Sequence, residues 1–150
     1  MNMTTISGKV LGLAVRCESR GPMTEIEEAD AMEGSTLSGN GKVKVDRGVS
    51  LLSREQWETV NQELDSTLPW HARRANILVE GLLLAETFGK TLLVGSAEVE
   101  IKAETTPCAL MDEICPGLRK VLEPDCRGGV SGRVVRSGQI RVGDVIHVRD

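Results

Sequence analysis

Apolar and polar residues alternate along much of this chain at the two-residue period of a half-buried strand. Ile6 to Val15, Thr24 to Ala29, Lys42 to Asp46 and Val49 to Leu52 read as strands in the first half. Asn76 to Val79, Lys90 to Val94, Ala97 to Ala103, Gly132 to Arg136, Gln139 to Val142 and Asp144 to Val148 follow in the second. Ser137-Gly138 predicts a tight hairpin between two of these strands. One segment has helical periodicity instead. Ser53-Arg54-Glu55-Gln56 has the form of a capping box, and Trp57, Val60 and Leu64 then share one face, which predicts a helix over 54–64 with Trp57 as a core anchor. A shorter helix is expected from Gly117 to Leu122, ended by Pro124. Arg16 to Met23 and Met32 to Gly41 read as loops, and Leu82 to Glu86 as a turn or helical fragment.

Many short strands with connections too short for repeated crossovers predict a mainly β fold. A closed, antiparallel-rich β-barrel with one or two short helices removes the exposed edges. The length of 150 residues suits one domain. Sixteen glycines and almost no aromatics point to many turns around an aliphatic core. The net charge of −4 argues against nonspecific nucleic-acid binding, although it leaves room for a local basic patch. No apolar run approaches the ~18 residues of a membrane span, and the first residues lack a secretory pattern, so a cytoplasmic protein without membrane contact is expected.

Four cysteines, Cys17, Cys108, Cys115 and Cys126, contain no CxxC pair, and only two histidines are present, which disfavours a zinc ribbon. Cys17, Cys115 and Cys126 read as small buried hydrophobes. Cys108 differs in context. It follows Thr105-Thr106-Pro107 just past a predicted strand, where proline ends the ladder and places the thiol at the mouth of a sheet. Downstream, Arg127-Gly128-Gly129 fits either an anion nest with an adjacent guanidinium or a solvated loop. Arg73-Arg74-Ala75-Asn76 fits either an anion grip at a strand entrance or a turn. In the Gly132 to Asp144 segment, Gly138 and Gly143 permit positive φ, and Asp144 suits a turn acceptor.

In order, these pieces resemble the MOSC domain, found at the C-terminus of molybdenum cofactor sulfurases and as small stand-alone proteins. The resemblance is carried by Arg74 to Gly81, Phe88-Gly89-Lys90 through Val94 to Ala97, Thr106-Pro107-Cys108, Arg127-Gly128-Gly129 and Gly132 to Asp144. Gly21-Pro22-Met23, Gly34 to Asn40 and Asp46 to Leu52 extend it through the N-terminal half. Many relatives carry Gly-Asp where this chain has Gly39-Asn40. The resemblance implies a β-barrel that binds the molybdenum cofactor or carries sulfur for it, with the family's cysteine at Cys108 as metal ligand or sulfur nucleophile. Arg73, Arg74, Asn76, Arg127, Gly128, Gly129 and Arg133, with Ser19 and Arg20 from the first loop, are the implied cofactor contacts. Molybdenum-dependent reduction of N-hydroxylated compounds is the enzymatic alternative, and a non-catalytic interaction module the bland one. Sulfur donor or acceptor proteins are the implied partners, with a separate electron donor for the reductase, because the chain has no iron–sulfur cysteine set. It also lacks the aminotransferase-like sulfurase domain, so pyridoxal phosphate is not expected.

Overall fold

The computed structural model describes residues 7–17 and 21–149. Ten strands occur among them: β1 (Ser7–Val15), β2 (Thr24–Ile26), β3 (Glu28–Ala31), β4 (Val49–Ser53), β5 (Ile77–Glu80), β6 (Thr91–Val94), β7 (Ala97–Glu104), β8 (Val130–Arg136), β9 (Gly138–Arg141) and β10 (Val145–Arg149). Seven of them close a barrel in the order β10-β6-β7-β8-β4-β5-β1, with β1 returning to β10 and β2 added on the outside of β1. The barrel core is aliphatic, filled by residues such as Val10, Leu51, Ile77, Leu92, Val99, Val134 and Ile146, all fully buried. Burying each such side chain is worth about 1.5–3 kcal/mol, so the paucity of aromatics is no obstacle to a stable interior.

The fold is mainly β, and the described residues include three short helices, α1 (Arg54–Leu64), α2 (Leu110–Ile114) and α3 (Leu118–Leu122). Ser53 caps α1 by accepting from Gln56 N–H at 3.2 Å. The capping box is only half formed, because Gln56 Nε2 donates to Asp125 O at 2.7 Å instead of turning back. Trp57 and Val60 face Leu118, Leu122 and Met111 in a second apolar cluster outside the barrel. Trp57 Nε1 donates to Leu68 O, so its polar edge is satisfied.

Three strand expectations change. Lys42 to Asp46 does not pair. It forms an exposed loop and a 3₁₀ turn at Val45–Arg47, since its alternating valines find no sheet face to bury against. Thr24 to Ala29 splits at Glu27 into β2 and β3, which join different partners. Ser137-Gly138 is not a hairpin: β9 leaves β8 and pairs with β3 in a separate two-stranded sheet. Gly138 is needed there for close approach, because any Cβ would overlap the Ser96 backbone. One crossover also exists: β4 and β5 are parallel, joined through α1.

Candidate functional site

Several strand ends meet at one rim of the barrel. Arg16 follows β1, Ser50 lies in β4, Arg74 and Asn76 precede β5, Thr105 follows β7, and Ser131 lies at the start of β8. With Met23, Asn40, Val43 and Arg47 they line a pocket of about 170 Å³. Ligand pockets for drug-sized molecules run from about 300 Å³ upward, so this one suits a compact group and not a whole organic cofactor.

The pocket is cationic. Arg16, Arg47 and Arg74 line it, and among the described residues no carboxylate does. Among the described residues none of the three is ion-paired. Partial burial and the nearby charge of Arg74 lower the pKa of Arg16 below the usual guanidinium value. Arg74 is held in the left-handed region at φ +67, an uncommon cost for a non-glycine residue. The floor includes Ser131, opposite Ser50 across the β4–β8 ladder. Ser131 is 2% exposed, and its Oγ has no hydrogen-bond partner among the described residues. A buried hydroxyl left unpaired is uncommon and marks a place where a ligand oxygen or a water fits.

Asn76 has a different job from the arginines beside it. Its Oδ1 accepts from Ser50 N–H at 3.1 Å, and its Nδ2 donates to Ala14 O at 3.1 Å. It therefore bridges β4, β5 and β1 and has little capacity left for a ligand.

Cys108 does not line this pocket; it is exposed, three residues past the pocket wall Thr105, in the segment between β7 and α2. Arg73 connects the two. Its Nη2 donates to Thr105 O at 2.7 Å, and Thr105 is a pocket wall. Burial lowers the pKa of Arg73, and the negative charge of a Cys108 thiolate acts in the opposite sense. The Arg73 Nε is buried without a partner.

The remaining expected contacts fall elsewhere. Arg127 pairs with Glu63 at 3.0 Å and donates to Val121 O, which ties α1 to α3. The Arg127-Gly128-Gly129 turn is built for packing. A Cβ on Gly128 would stand 2.5 Å from Thr105 O and 3.1 Å from Arg73 Nη2. Gly129 has φ +95, and its N–H is already given to Cys126 O. Arg133 is exposed on β8 and does not line the pocket. Ser19 and Arg20 lie outside the described residues. Of the other three cysteines, Cys17 is exposed and Cys126 half-buried, whereas Cys115, also half-buried, packs against the second apolar cluster much as expected. Burial, with Glu104 and Asp125 nearby, pushes the Cys126 thiol up.

Sequence patterning did not single out Arg16, Arg47, Ser50, Thr105 or Ser131 as site residues. The available signal was faint: Ser50 and Ser131 are hydroxyls set in otherwise apolar strand ends, and Arg16 is the first polar residue after a strand.

Fold and rim together define a closed β-barrel with an arginine-lined pocket beside an exposed thiol. The family model of the MOSC domain matches residues 24–147, and the chain belongs to that family, which is associated with molybdenum cofactor binding. YuaD from Bacillus subtilis superposes with a TM-score of 0.79 at 17% identity, over 98% of both chains. YiiM from Escherichia coli does so at 0.74 and 15%, over 95% of this chain and 70% of that one. YiiM from Geobacillus stearothermophilus gives 0.71 and 18%, over 97% and 74%. No curated protein matches the sequence significantly.

Proposed function

We propose that this domain binds the molybdenum cofactor, with the rim pocket gripping its anionic end and Cys108 as the thiol facing its metal or sulfur. The observation that carries this reading is the set of Arg16, Arg47 and Arg74 beside the Ser131 hydroxyl, with no carboxylate in the lining and no partner for that hydroxyl among the described residues. Guanidinium groups and a free hydroxyl are suited to phosphate oxygens, and a thiolate is a soft ligand or sulfur nucleophile. The residues present fit such a group in chemistry: donors at one end, a thiol at the other, and a pocket sized for a head group. When bound, the cofactor would supply the redox-active metal. The chain's own residues hold the anionic end, and Arg73 anchors the Thr105 turn that leads to Cys108.

The test is to express the protein in a host that makes the cofactor, then measure molybdenum and released oxidised pterin. Wild type is set beside Cys108→Ser and the double variant Arg16→Gln/Arg74→Gln. Near-stoichiometric pterin in wild type and its loss in the double variant support the reading. A wild type that purifies with neither metal nor pterin counts against it. A persulfide on Cys108 in that empty protein, seen by intact mass, would move the assignment to sulfur transfer.

A further inference from the structure

Residues 41–47 form one wall of the rim pocket, and their attachment is unusual. Asn40, at one foot, accepts from Arg16 N–H at 2.9 Å and donates through Nδ2 to Thr36 Oγ1 at 2.9 Å. At the other foot, the Thr36 hydroxyl donates to Gly48 O. One buried threonine thus clasps both ends of the loop. Gly48 packs so closely on Ser35 O that no Cβ would fit, which fixes that foot.

Between the feet the loop has few hydrogen bonds, although its turn at Val45–Arg47 runs alongside β8. Gly41 N–H donates to Arg16 O beside the first foot, and Arg47 N–H to Lys44 O closes the single 3₁₀ turn. That turn contains no buried residue, and every side chain from Lys42 to Arg47 is exposed. Val43 and Val45 are among the exposed large hydrophobic residues, yet Val43 and Arg47 line the pocket. Lys42, Lys44 and Arg47 outweigh Asp46, so the loop is cationic. It faces Arg16 and Arg74, which have no carboxylate partner among the described residues. The like charges of Arg16, Arg47 and Arg74 across the pocket repel one another. A bound dianion reverses the sign of that interaction.

We propose that residues 41–47 are an anion-operated flap, hinged on the Thr36 clasp, which closes over the pocket and brings Arg47 onto the ligand as a third arm. This rests on the reading of the pocket as an anion site and adds to it a moving part and its trigger. Closure also covers Val43, which ordinary loop chemistry would not place there.

The flap is tested with trypsin, because Lys42 and Lys44 are cleavage sites within it. The native full chain is digested with and without inorganic phosphate, with sodium chloride holding ionic strength constant, and cleavage after Lys44 is followed by mass. Phosphate binding is measured in parallel by calorimetry. The expected result is binding, with cleavage slowed about fivefold or more at saturation, since proteolysis follows the open population. In Arg47→Gln, phosphate should bind about tenfold more weakly through Arg16 and Arg74, and saturating phosphate should no longer protect Lys44. Phosphate binding with unchanged cleavage overturns the flap and leaves the anion pocket standing. An absence of phosphate binding overturns both.

Discussion

Replacing Asn76 by alanine should damage the fold more than the ligand site. The side chain accepts from Ser50 N–H, accepts weakly from Ser50 Oγ at 3.3 Å, and donates to Ala14 O. Alanine strands two backbone groups, Ser50 N–H and Ala14 O, at a residue only 6% exposed. Each stranded group costs about 1–3 kcal/mol, and the small cavity adds to this, so a loss of about 3 kcal/mol is expected. That is a large part of the 5–15 kcal/mol typical of a whole domain. With a urea slope of about 1–3 kcal/mol per molar, the unfolding midpoint should fall by roughly 1–3 M. The assay is equilibrium urea denaturation followed by tryptophan fluorescence, since Trp57 is buried and Trp70 half-buried. A midpoint shift below about 0.3 M together with lost cofactor or phosphate binding would refute the reasoning and make Asn76 a ligand residue.

Arg74→Gly should separate stability from binding in the opposite direction. It relieves φ +67 and one of two neighbouring positive charges, so stability should rise by about 0.5–1 kcal/mol while phosphate affinity falls about tenfold; a stability loss would contradict the strain argument. Ser131→Ala removes a hydroxyl with no protein partner, so unfolding should change by less than about 0.5 kcal/mol while phosphate binding weakens severalfold, both checked on one preparation. Gly129→Ala combines φ +95 with an overlap on Leu51 O and should cost about 3 kcal/mol or prevent soluble expression. The raised pKa of the Cys126 thiol means the folded chain holds its proton longer than the unfolded chain. Its contribution to stability is therefore complete at neutral pH and declines as pH climbs past about 8.5 toward the raised folded value, a decline that should be absent in Cys126→Ala. In native labelling Cys108 and Cys17 should react ahead of Cys115 and Cys126, and equal rates for all four would mean the exposures are wrong.

The barrel was legible because its strands carry their own period. β1, β4, β5, β6, β7, β8 and β10 all fall close to their expected places, and α1 runs over Arg54–Leu64 as its cap and apolar face require. The failures share one cause. Lys42 to Asp46 alternates as well as any strand, but alternation cannot say whether a neighbouring strand is free to pair, and here none is. Ser137-Gly138 looked like a hairpin because turn chemistry is local, whereas the β3–β9 pairing that wins joins residues about a hundred apart. The site was legible only in part. Arg74 was visible from its neighbours in sequence, but Arg16, Arg47 and Ser131 meet it only through barrel closure. Arg127 shows the reverse error: a guanidinium beside two glycines suggested an anion, and Glu63 from α1 takes it instead.

The position of the pocket follows from the parallel β4–β5 pair. A parallel pair needs a crossover, and residues 54–76 carry the chain back to the end of the barrel where β4 began. The entry to β5 therefore lies beside the start of β4, which puts Arg74 and Asn76 next to Ser50. Antiparallel β1 and β7 reach the same rim with their far ends and deliver Arg16 and Thr105. Three of these residues are thus tied to the hydrogen-bonded wall: Asn76 and Ser50 to each other, Asn76 to Ala14, and Thr105 to Gly129 and Arg73. Arg47 alone among the pocket's arginines sits on a loop secured by side-chain bonds at its feet. Changes to Arg16 or Arg74 should accordingly act on equilibrium affinity in the wall, whereas weakening the clasp with Thr36→Val should act chiefly on how fast an anion enters and leaves. Stopped-flow phosphate exchange distinguishes the two. If Thr36→Val folds and weakens affinity as much as Arg16→Gln while leaving the rate of anion entry unchanged, the loop is a fixed wall like the rest.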